Sequence, residues 1–148
     1  MKLTIKDLHK LISQAGLKVT PQRSSILRSI IVLDNHPTAE QIIGYIHKES
    51  PSISTGTVYN VLDTMEAHSL IRKVKTEKGI MRYEAIKERH HHLYCTECDF
   101  IEDYTNQELD LLIESYFKNN TIDNFVIDNI TLQINGKFIK HKSNTANK

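Results

Sequence analysis

A run of metal-binding side chains in the middle of the chain most constrains its fold. Residues 90–98 read His-His-His-Leu-Tyr-Cys-Thr-Glu-Cys and place three imidazoles and two thiols within nine positions. Imidazole suits transition metals such as zinc, iron, copper and nickel, and thiolate suits the softer ones. The run has the pattern of a strand, in which alternate residues share a face, so His90 and His92 should point one way and His91 the other. It therefore predicts half of a metal site, the alternative being a solvated histidine cluster beside a reduced cysteine pair.

Charge is divided unevenly along the 148 residues, a length suited to one ordinary domain or two small ones. Residues 1–86 carry 12 Lys and Arg against 8 Asp and Glu, whereas residues 87–148 carry 7 against 10. This division favours a first half that contacts a polyanion, although an ordinary solvated surface would look similar.

Hydropathy and cysteine content indicate the compartment. The sequence has no uninterrupted apolar run long enough for a transmembrane helix, and charged residues interrupt the N-terminus, so neither a membrane span nor a secretory signal is predicted. With only 2 cysteines the chain does not resemble a secreted disulfide scaffold. We expect a cytoplasmic protein.

The first half has the pattern of four helices followed by a hairpin. Apolar residues at helical spacing predict helices over about 4–15, from Thr20-Pro21 to about Leu33, from Thr38 to a break at 49–52, and from Ser54 to between Met65 and His68. Two β-like runs, 71–76 and 80–86, flank a glycine turn. Helices followed by a basic hairpin are typical of a winged helix-turn-helix.

The fourth helix presents short hydroxyls, an aromatic ring and an amide on its polar face, which is chemistry suited to a major groove. An amide can bind adenine through paired hydrogen bonds, and hairpin cations can neutralise phosphates. The alternative is an ordinary polar surface of a helical domain. The helix residues predicted to contact DNA are Thr55, Thr57, Tyr59 and Asn60, and the hairpin cations are Arg72, Lys73, Lys75, Lys78 and Arg82.

The second half predicts a smaller unit. We expect strands at 92–95 and 101–104, a helix capped by Asn106, and a last strand over 125–135. Such a small core favours dimerisation to cover its remaining apolar faces. The predicted organisation is a DNA-binding domain over 1–86, a hinge at 87–89, a dimerisation and metal-binding domain over 90–136, and a polar tail over 137–148.

Several motifs in order resemble the ferric uptake regulator family of bacterial metal-responsive repressors. They are Gly16–Arg23, His36–Ala39, Ser54–Leu62, Arg82–Glu84 and His90–Cys98. The resemblance implies an α+β fold with an N-terminal winged helix-turn-helix domain followed by a small α/β dimerisation domain. It also implies a homodimer on palindromic double-stranded operator DNA, with Arg23 among the DNA contacts.

The family's regulatory metal site carries over position by position. The ligands implied are His36, Glu84, His90, His92 and Asp103. Three nitrogens and two carboxylates accommodate Fe²⁺ or Mn²⁺, and Zn²⁺ would bind the same set. The positions of a secondary site of the iron-uptake branch fall on Arg89, His91, Asp110 and Ile130, two of which cannot bind metal, so that site is expected to be absent.

The resemblance leaves two branches open. Asp103 and Asn60 resemble the peroxide-sensing branch, whereas Glu84 is more like the iron-uptake branch. We favour a repressor that senses peroxide through Fe²⁺-catalysed oxidation of His36 or His90. The alternative is an iron, zinc or manganese uptake regulator that uses the same metal site as a metal sensor.

The cysteine pair departs from the family pattern. Many members hold a structural zinc with two Cys-x-x-Cys pairs, but this chain has only Cys95 and Cys98. His141 is the third ligand that the sequence offers where the second pair should be. A zinc-free knuckle and a redox-sensitive pair are the alternatives to a structural zinc site.

The sequence lacks the motifs expected of two kinds of enzyme. A hydrolytic zinc site predicts a His-Glu-x-x-His helix, which the sequence lacks. A thioredoxin-like couple predicts a cysteine pair that opens a helix, whereas Cys95 and Cys98 lie between predicted strands. We therefore expect no catalytic residues and a regulator rather than an enzyme.

Overall fold

The computed structural model describes residues 3–76, 78–86 and 89–140. The chain separates into two compact units, of which the first ends at Ile86 and the second begins at Lys87. The fold is α+β, with four helices and a hairpin in the first unit and a helix and a small sheet in the second.

Four helices form the body of the first unit: α1 (Ile5–Gln14), α2 (Pro21–Leu33), α3 (Ala39–Glu49) and α4 (Thr55–Ala67). Each begins after a hydroxyl side chain that accepts a hydrogen bond from a backbone N–H of the first turn. Such caps satisfy donors that the helix itself leaves unpaired. The predicted Pro21 start of α2 and the predicted Thr38–Gln41 capping box of α3 are both confirmed.

Helix α2 lies at the centre of this unit and packs against α1, α3, α4 and the hairpin. Its Ile26, Leu27 and Ile30 are each no more than 2% exposed. Val58, Leu62 and Met65 of α4 are fully buried in the same core. Because burial of each such side chain contributes about 1.5–3 kcal/mol, this core fixes which face of α4 points outwards.

The hairpin consists of β1 (Ile71–Lys75) and β2 (Met81–Ala85), paired antiparallel with Lys73 opposite Tyr83. Gly79 has φ +76°, a conformation that glycine adopts without strain, so the predicted glycine turn is confirmed. The strand β2 also reaches the start of α3, because the Tyr83 N–H donates to the carbonyl of Pro37 at 2.9 Å. The hairpin thereby holds the loop between α2 and α3.

The second unit contains β3 (His91–Cys95), β4 (Ile101–Tyr104), α5 (Gln107–Asn119) and β5 (Gln133–Gly136). The sheet order is β4-β3-β5, with β4 antiparallel and β5 parallel to β3. Thr96 N–H donates to the Gly136 carbonyl at 2.9 Å and continues the pairing beyond the strand. The central strand is therefore the histidine run itself.

The prediction of a last strand over 125–135 was wrong for most of its length. Only Gln133–Gly136 forms a strand, since this is the stretch that lies opposite His92–Cys95 of β3. Residues 125–132 form no regular ladder within the described part of the chain. Alternating apolar and polar residues indicate that a segment could have an apolar and a polar face as a strand. A strand also needs an adjacent strand to pair with through backbone hydrogen bonds.

The apolar stripe of α5 is not buried within the described chain. No residue of α5 is fully buried, and Leu112 and Tyr116 are 65% and 60% exposed. The following segment exposes Phe125 and Val126 by 62% and 85%. Neighbouring exposed apolar side chains of this size mark an interaction surface.

Two further sequence expectations concern the membrane and the tail. None of the described helices is long and apolar enough to cross a bilayer. Of the tail, residues 137–140 are described and form no regular element, and Phe138 packs against Phe100 with ring centroids 5.9 Å apart. Residues 141–148, and Lys87 and Glu88 of the expected hinge, lie outside the described residues.

Candidate metal ligands and nucleic-acid interface

A buried histidine–carboxylate pair is the first candidate ligand group, and it lies in the first unit. His36 belongs to the loop between α2 and α3, and Glu84 lies on β2, 48 positions later. The His36 Nε2 and Glu84 Oε2 atoms are 2.8 Å apart, and the two side chains are 6% and 5% exposed. Burial of a carboxylate is costly unless it is paired or binds a metal, so this pair has the chemistry of a ligand group.

The backbone that carries His36 is strained. Asp34, Asn35 and His36 have φ values of +48°, +48° and +59°, three successive left-handed residues without a glycine. Such conformations cost about 1–3 kcal/mol each and persist only where neighbouring contacts enforce them. The contacts here come from β2, where Arg82 Nη1 donates to the His36 carbonyl at 3.0 Å.

The second candidate group lies in the second unit, on one face of a strand pair. His90 directly precedes β3, His92 lies within it, and Asp103 of β4 is the cross-strand partner of His92. The Asp103 Oδ1 atom is 3.5 Å from His90 Nε2 and 4.0 Å from His92 Nε2. The two imidazoles meet edge to face with centroids 4.9 Å apart, and both are buried. His90 and His92 therefore lie on the same face, as predicted.

His91 points to the opposite side and is held by the protein. Its side chain is fully buried, its Nε2 lies 2.8 Å from Asp110 Oδ1, and its Nδ1 accepts from the Leu132 N–H at 3.0 Å. These contacts define a ring that donates through Nε2 to the carboxylate. Arg89 adds a cation, with Nε 3.4 Å from Asp110 and Nη1 2.6 Å from Glu114. Arg89 and His91 thus share the Asp110 carboxylate.

The cysteine pair closes the end of β3. Cys95 is buried, Cys98 is exposed, and the Cys98 N–H donates to the Cys95 Sγ at 3.4 Å. Hydrogen bonds from the Cys98 thiol and N–H lower the pKa of Cys95 to about 6, whereas burial and the neighbouring Cys95 raise the pKa of Cys98. Within the described residues neither thiol belongs to a cluster of three or more metal-binding side chains. His141, the third zinc ligand that the sequence offers, lies outside the described residues.

The outward face of α4 carries the side chains predicted to contact DNA. Thr55 and Asn60 are exposed and Tyr59 is 43% exposed, opposite the buried core face. Thr57 is half-buried, and its hydroxyl lies 2.9 Å from that of Ser54, which caps the helix. Three of the four predicted residues are therefore exposed to solvent, whereas Thr57 contacts the Ser54 cap of α4.

The predicted cations differ in what they contact. Lys75 is exposed, whereas Lys73 Nζ lies 3.1 Å from Glu66 and 3.3 Å from Asp63, both on α4. The hydrogen bond that Lys73 donates to the Glu66 carboxylate raises the pKa of Lys73. Arg23 donates to the Lys18 carbonyl at 2.7 Å.

Arg82 was wrongly included among the phosphate-facing cations of the hairpin. It is 6% exposed and its guanidinium binds the His36 carbonyl. Strand alternation could have revealed this, because Arg82 and Glu84 are two positions apart on β2 and share a face. The positive charge of Arg82 suggested a phosphate contact, but its side chain lies beside the buried His36.

A winged helix-turn-helix unit followed by an α/β unit, each with buried histidines paired to carboxylates, defines the class of metal-responsive DNA-binding regulators. The chain belongs to the ferric uptake regulator family, whose model matches residues 14–135. Members of this family are transcription regulators rather than enzymes.

Similar proteins support the same assignment. The chain is 32% identical over 96 residues to the peroxide-responsive repressor PerR of Staphylococcus aureus, a match that spans 65% of each protein. It is 27% identical to the Campylobacter jejuni peroxide stress regulator, with a TM-score of 0.69 over 95% of this chain and 98% of that one. The manganese-containing ferric uptake regulator of Pseudomonas aeruginosa, 22% identical, shares the fold with a TM-score of 0.76 over 89% of this chain and 98% of that one.

Proposed function

We propose that this chain is a metal-dependent repressor whose regulatory ion is bound by His36 and Glu84 of the first unit and by His90, His92 and Asp103 of the second. The observation that carries the proposal is that each unit holds a histidine–carboxylate group already assembled, at 2.8 Å in the first and at 3.5 and 4.0 Å in the second. The donor set contains no thiolate, which suits Fe²⁺ or Mn²⁺ and also accepts Zn²⁺. An ion held from both units links metal occupancy to the spacing of the α4 helices in a dimer.

We propose DNA binding through α4 and the hairpin to a palindromic operator. Tyr59 and Asn60 are exposed on α4 and can reach base edges, while Lys75 is the exposed cation of β1. A homodimer suits a palindrome, because its two recognition helices then meet half-sites one helical turn apart or a multiple of it. The exposed apolar stripe of α5, including Leu112 and Tyr116, supports an interface between two copies of the second unit.

We further propose that the signal is hydrogen peroxide. Fe²⁺ held by these residues would activate the peroxide, which would overall give one oxygen atom to a histidine ring and leave the other as water. The protein supplies the target, since addition of one oxygen to the His36 or His90 imidazole removes a ligand. The two relatives named for peroxide response, at 32% and 27% identity, support this proposal, as do Asp103 and Asn60 of the sequence resemblance. Each event is stoichiometric and involves no turnover.

The test begins with anaerobic protein loaded with Fe²⁺, whose peptide masses and operator affinity are measured before and after a small excess of peroxide. We expect a gain of one oxygen on His36 or His90 together with loss of DNA binding. Protein loaded with Mn²⁺ is the matched control and should keep both its mass and its affinity.

Two outcomes would redirect the proposal. Unmodified histidines in a protein whose DNA affinity still follows metal concentration would identify a metal uptake regulator, the alternative that Glu84 favours. DNA binding that is unchanged in both His36→Ala and His92→Ala would refute a metal switch altogether. Native mass spectrometry of the same samples would show whether Cys95 and Cys98 retain zinc.

A further inference from the structure

The segment that carries His36 is left-handed over three residues. Asp34 ends α2 with φ +48° and ψ −163°, and Asn35 and His36 follow at φ +48° and +59°. Asparagine, aspartate and histidine tolerate positive φ better than other residues with a Cβ, yet none favours it. A chain segment of this kind relaxes unless contacts from elsewhere hold it, and its relaxation would move the His36 imidazole.

The holding contacts come from consecutive residues of β2. Arg82 Nη1 donates to the His36 carbonyl at 3.0 Å, and the Tyr83 N–H donates to the Pro37 carbonyl at 2.9 Å. Thr38 forms an isolated antiparallel bridge with Arg82. Of these three contacts, the hydrogen bond from Arg82 is made by a side chain and is accepted by His36 itself.

Arg82 and Glu84 hold the same residue at two points. They lie on one face of β2, and both are nearly fully buried, at 6% and 5% exposed. Glu84 meets the His36 imidazole at 2.8 Å, while Arg82 meets the His36 backbone at 3.0 Å. Because β2 contacts both the side chain and the backbone carbonyl of His36, the imidazole has little freedom to rotate.

We propose that Arg82 is the positioning residue of His36: through the carbonyl it fixes the left-handed loop and thereby sets the direction of the imidazole as a metal ligand. This inference rests on the proposed function, because it takes His36 to be a ligand. Removal of a group that orients a ligand typically lowers metal affinity about 10–100-fold. Arg82 would thus determine metal affinity without contacting the metal.

The test uses Arg82→Met, which keeps an unbranched side chain and removes the guanidinium, and Arg82→Lys, which keeps a cation. Co²⁺ alone serves as the probe, because the intensity of its visible absorption reports the number of ligands. We expect Arg82→Met to bind Co²⁺ about 10–100-fold more weakly, with the absorption spectrum of His36→Ala. Arg82→Lys should lie between Arg82→Met and the parent protein.

Arg72→Met is the matched control. Arg72 Nη1 lies 3.8 Å from Glu84 Oε1, so this change removes a cation beside the same carboxylate without touching the His36 carbonyl. We expect Arg72→Met to keep the parent spectrum. The same large loss of affinity in both methionine variants would attribute the effect to charge near Glu84 and overturn the positioning role.

The outcomes separate the inference from the proposed function. If His36→Ala weakens Co²⁺ binding and Arg82→Met keeps the parent affinity and spectrum, Arg82 does not position His36, while the metal site stands. If Arg82→Met fails to fold, Arg82→Lys decides: a lower unfolding midpoint of the metal-free protein with an unchanged Co²⁺ spectrum would show a purely structural role. If His36→Ala itself changes neither affinity nor spectrum, both proposals fail.

Discussion

Replacement of His91 by alanine should destabilise the second unit without removing a metal ligand. Its imidazole is fully buried between the Asp110 carboxylate at 2.8 Å and the Leu132 N–H at 3.0 Å. The change leaves the partly buried Leu132 N–H without its acceptor and the partly exposed Asp110 carboxylate without its donor, and loss of the first partner costs about 1–3 kcal/mol. A cavity where the ring was adds to this, so we expect a loss of about 3 kcal/mol in the free energy of unfolding.

Urea unfolding of metal-free protein, followed by circular dichroism, measures this loss. With an m-value of about 2 kcal/mol/M, the expected loss lowers the unfolding midpoint by roughly 1.5 M. His47→Ala on the exposed side of α3 is the control and should leave the midpoint unchanged. Metal affinity of His91→Ala, measured below its unfolding transition, should remain far closer to that of the parent than the affinity of His90→Ala.

Two results would refute this reasoning about His91. A loss below about 1 kcal/mol would mean that the two hydrogen bonds do not stabilise the buried ring as their geometry indicates. A loss of metal affinity equal to that of His90→Ala, without a loss of stability, would make His91 a ligand and contradict the division of the histidine run between two strand faces.

Three further predictions follow from surface charge, thiol chemistry and the α5 stripe. Lys75→Ala should reduce the slope of log operator affinity against log salt concentration by about 0.9. Lys73→Ala should change this slope much less, because Lys73 already pairs with Asp63 and Glu66 of α4. Equal slopes in the two variants would contradict this prediction. In reduced, zinc-free protein, thiolate absorbance at 240 nm should rise with a midpoint near pH 6, where Cys95 titrates, and Cys98→Ala, which removes the side-chain donor, should move that midpoint upwards. Because the pKa of Cys95 is lower in the folded protein than its ordinary value, this thiolate stabilises the fold at high pH, and the contribution is lost as pH falls through about 6; a midpoint at the ordinary thiol value would refute the assignment. Leu112→Glu, at a position 65% exposed, should shift sedimentation towards the monomer while circular dichroism stays unchanged, and an unaltered sedimentation profile would place the dimer interface elsewhere.

Local features of this chain were predictable because neighbouring residues determine them. The hydroxyl caps at Thr20 and Thr38 begin helices within one turn of themselves, and Gly79 forms its turn from its own backbone freedom. The shared face of His90 and His92 likewise needs only strand alternation. The metal ligand set itself came from the family resemblance, and it remains a prediction.

Features that depend on distant residues were not predictable from local pattern. Residues 125–132 alternate like a strand but have no ladder partner in the described chain, so the strand is restricted to Gln133–Gly136. Arg82 looked like a phosphate-binding cation until the fold placed its guanidinium against the His36 carbonyl.

The order of the elements and the polar face of α4 were predictable from the sequence, because helical spacing and strand alternation depend on neighbouring residues. The donor atoms of the histidine run follow from the residue types themselves. The contact of Glu84 with His36 across 48 positions and the contact of Asp110 with His91 depend on the tertiary structure. Packing of the α2 core and pairing of β1 with β2 bring Glu84 to His36, whereas Asp110 of α5 contacts His91 of β3 within the second unit. Burial then requires each polar group to find a partner. The same requirement accounts for the buried Arg82 guanidinium, which donates to the His36 carbonyl in the strained loop.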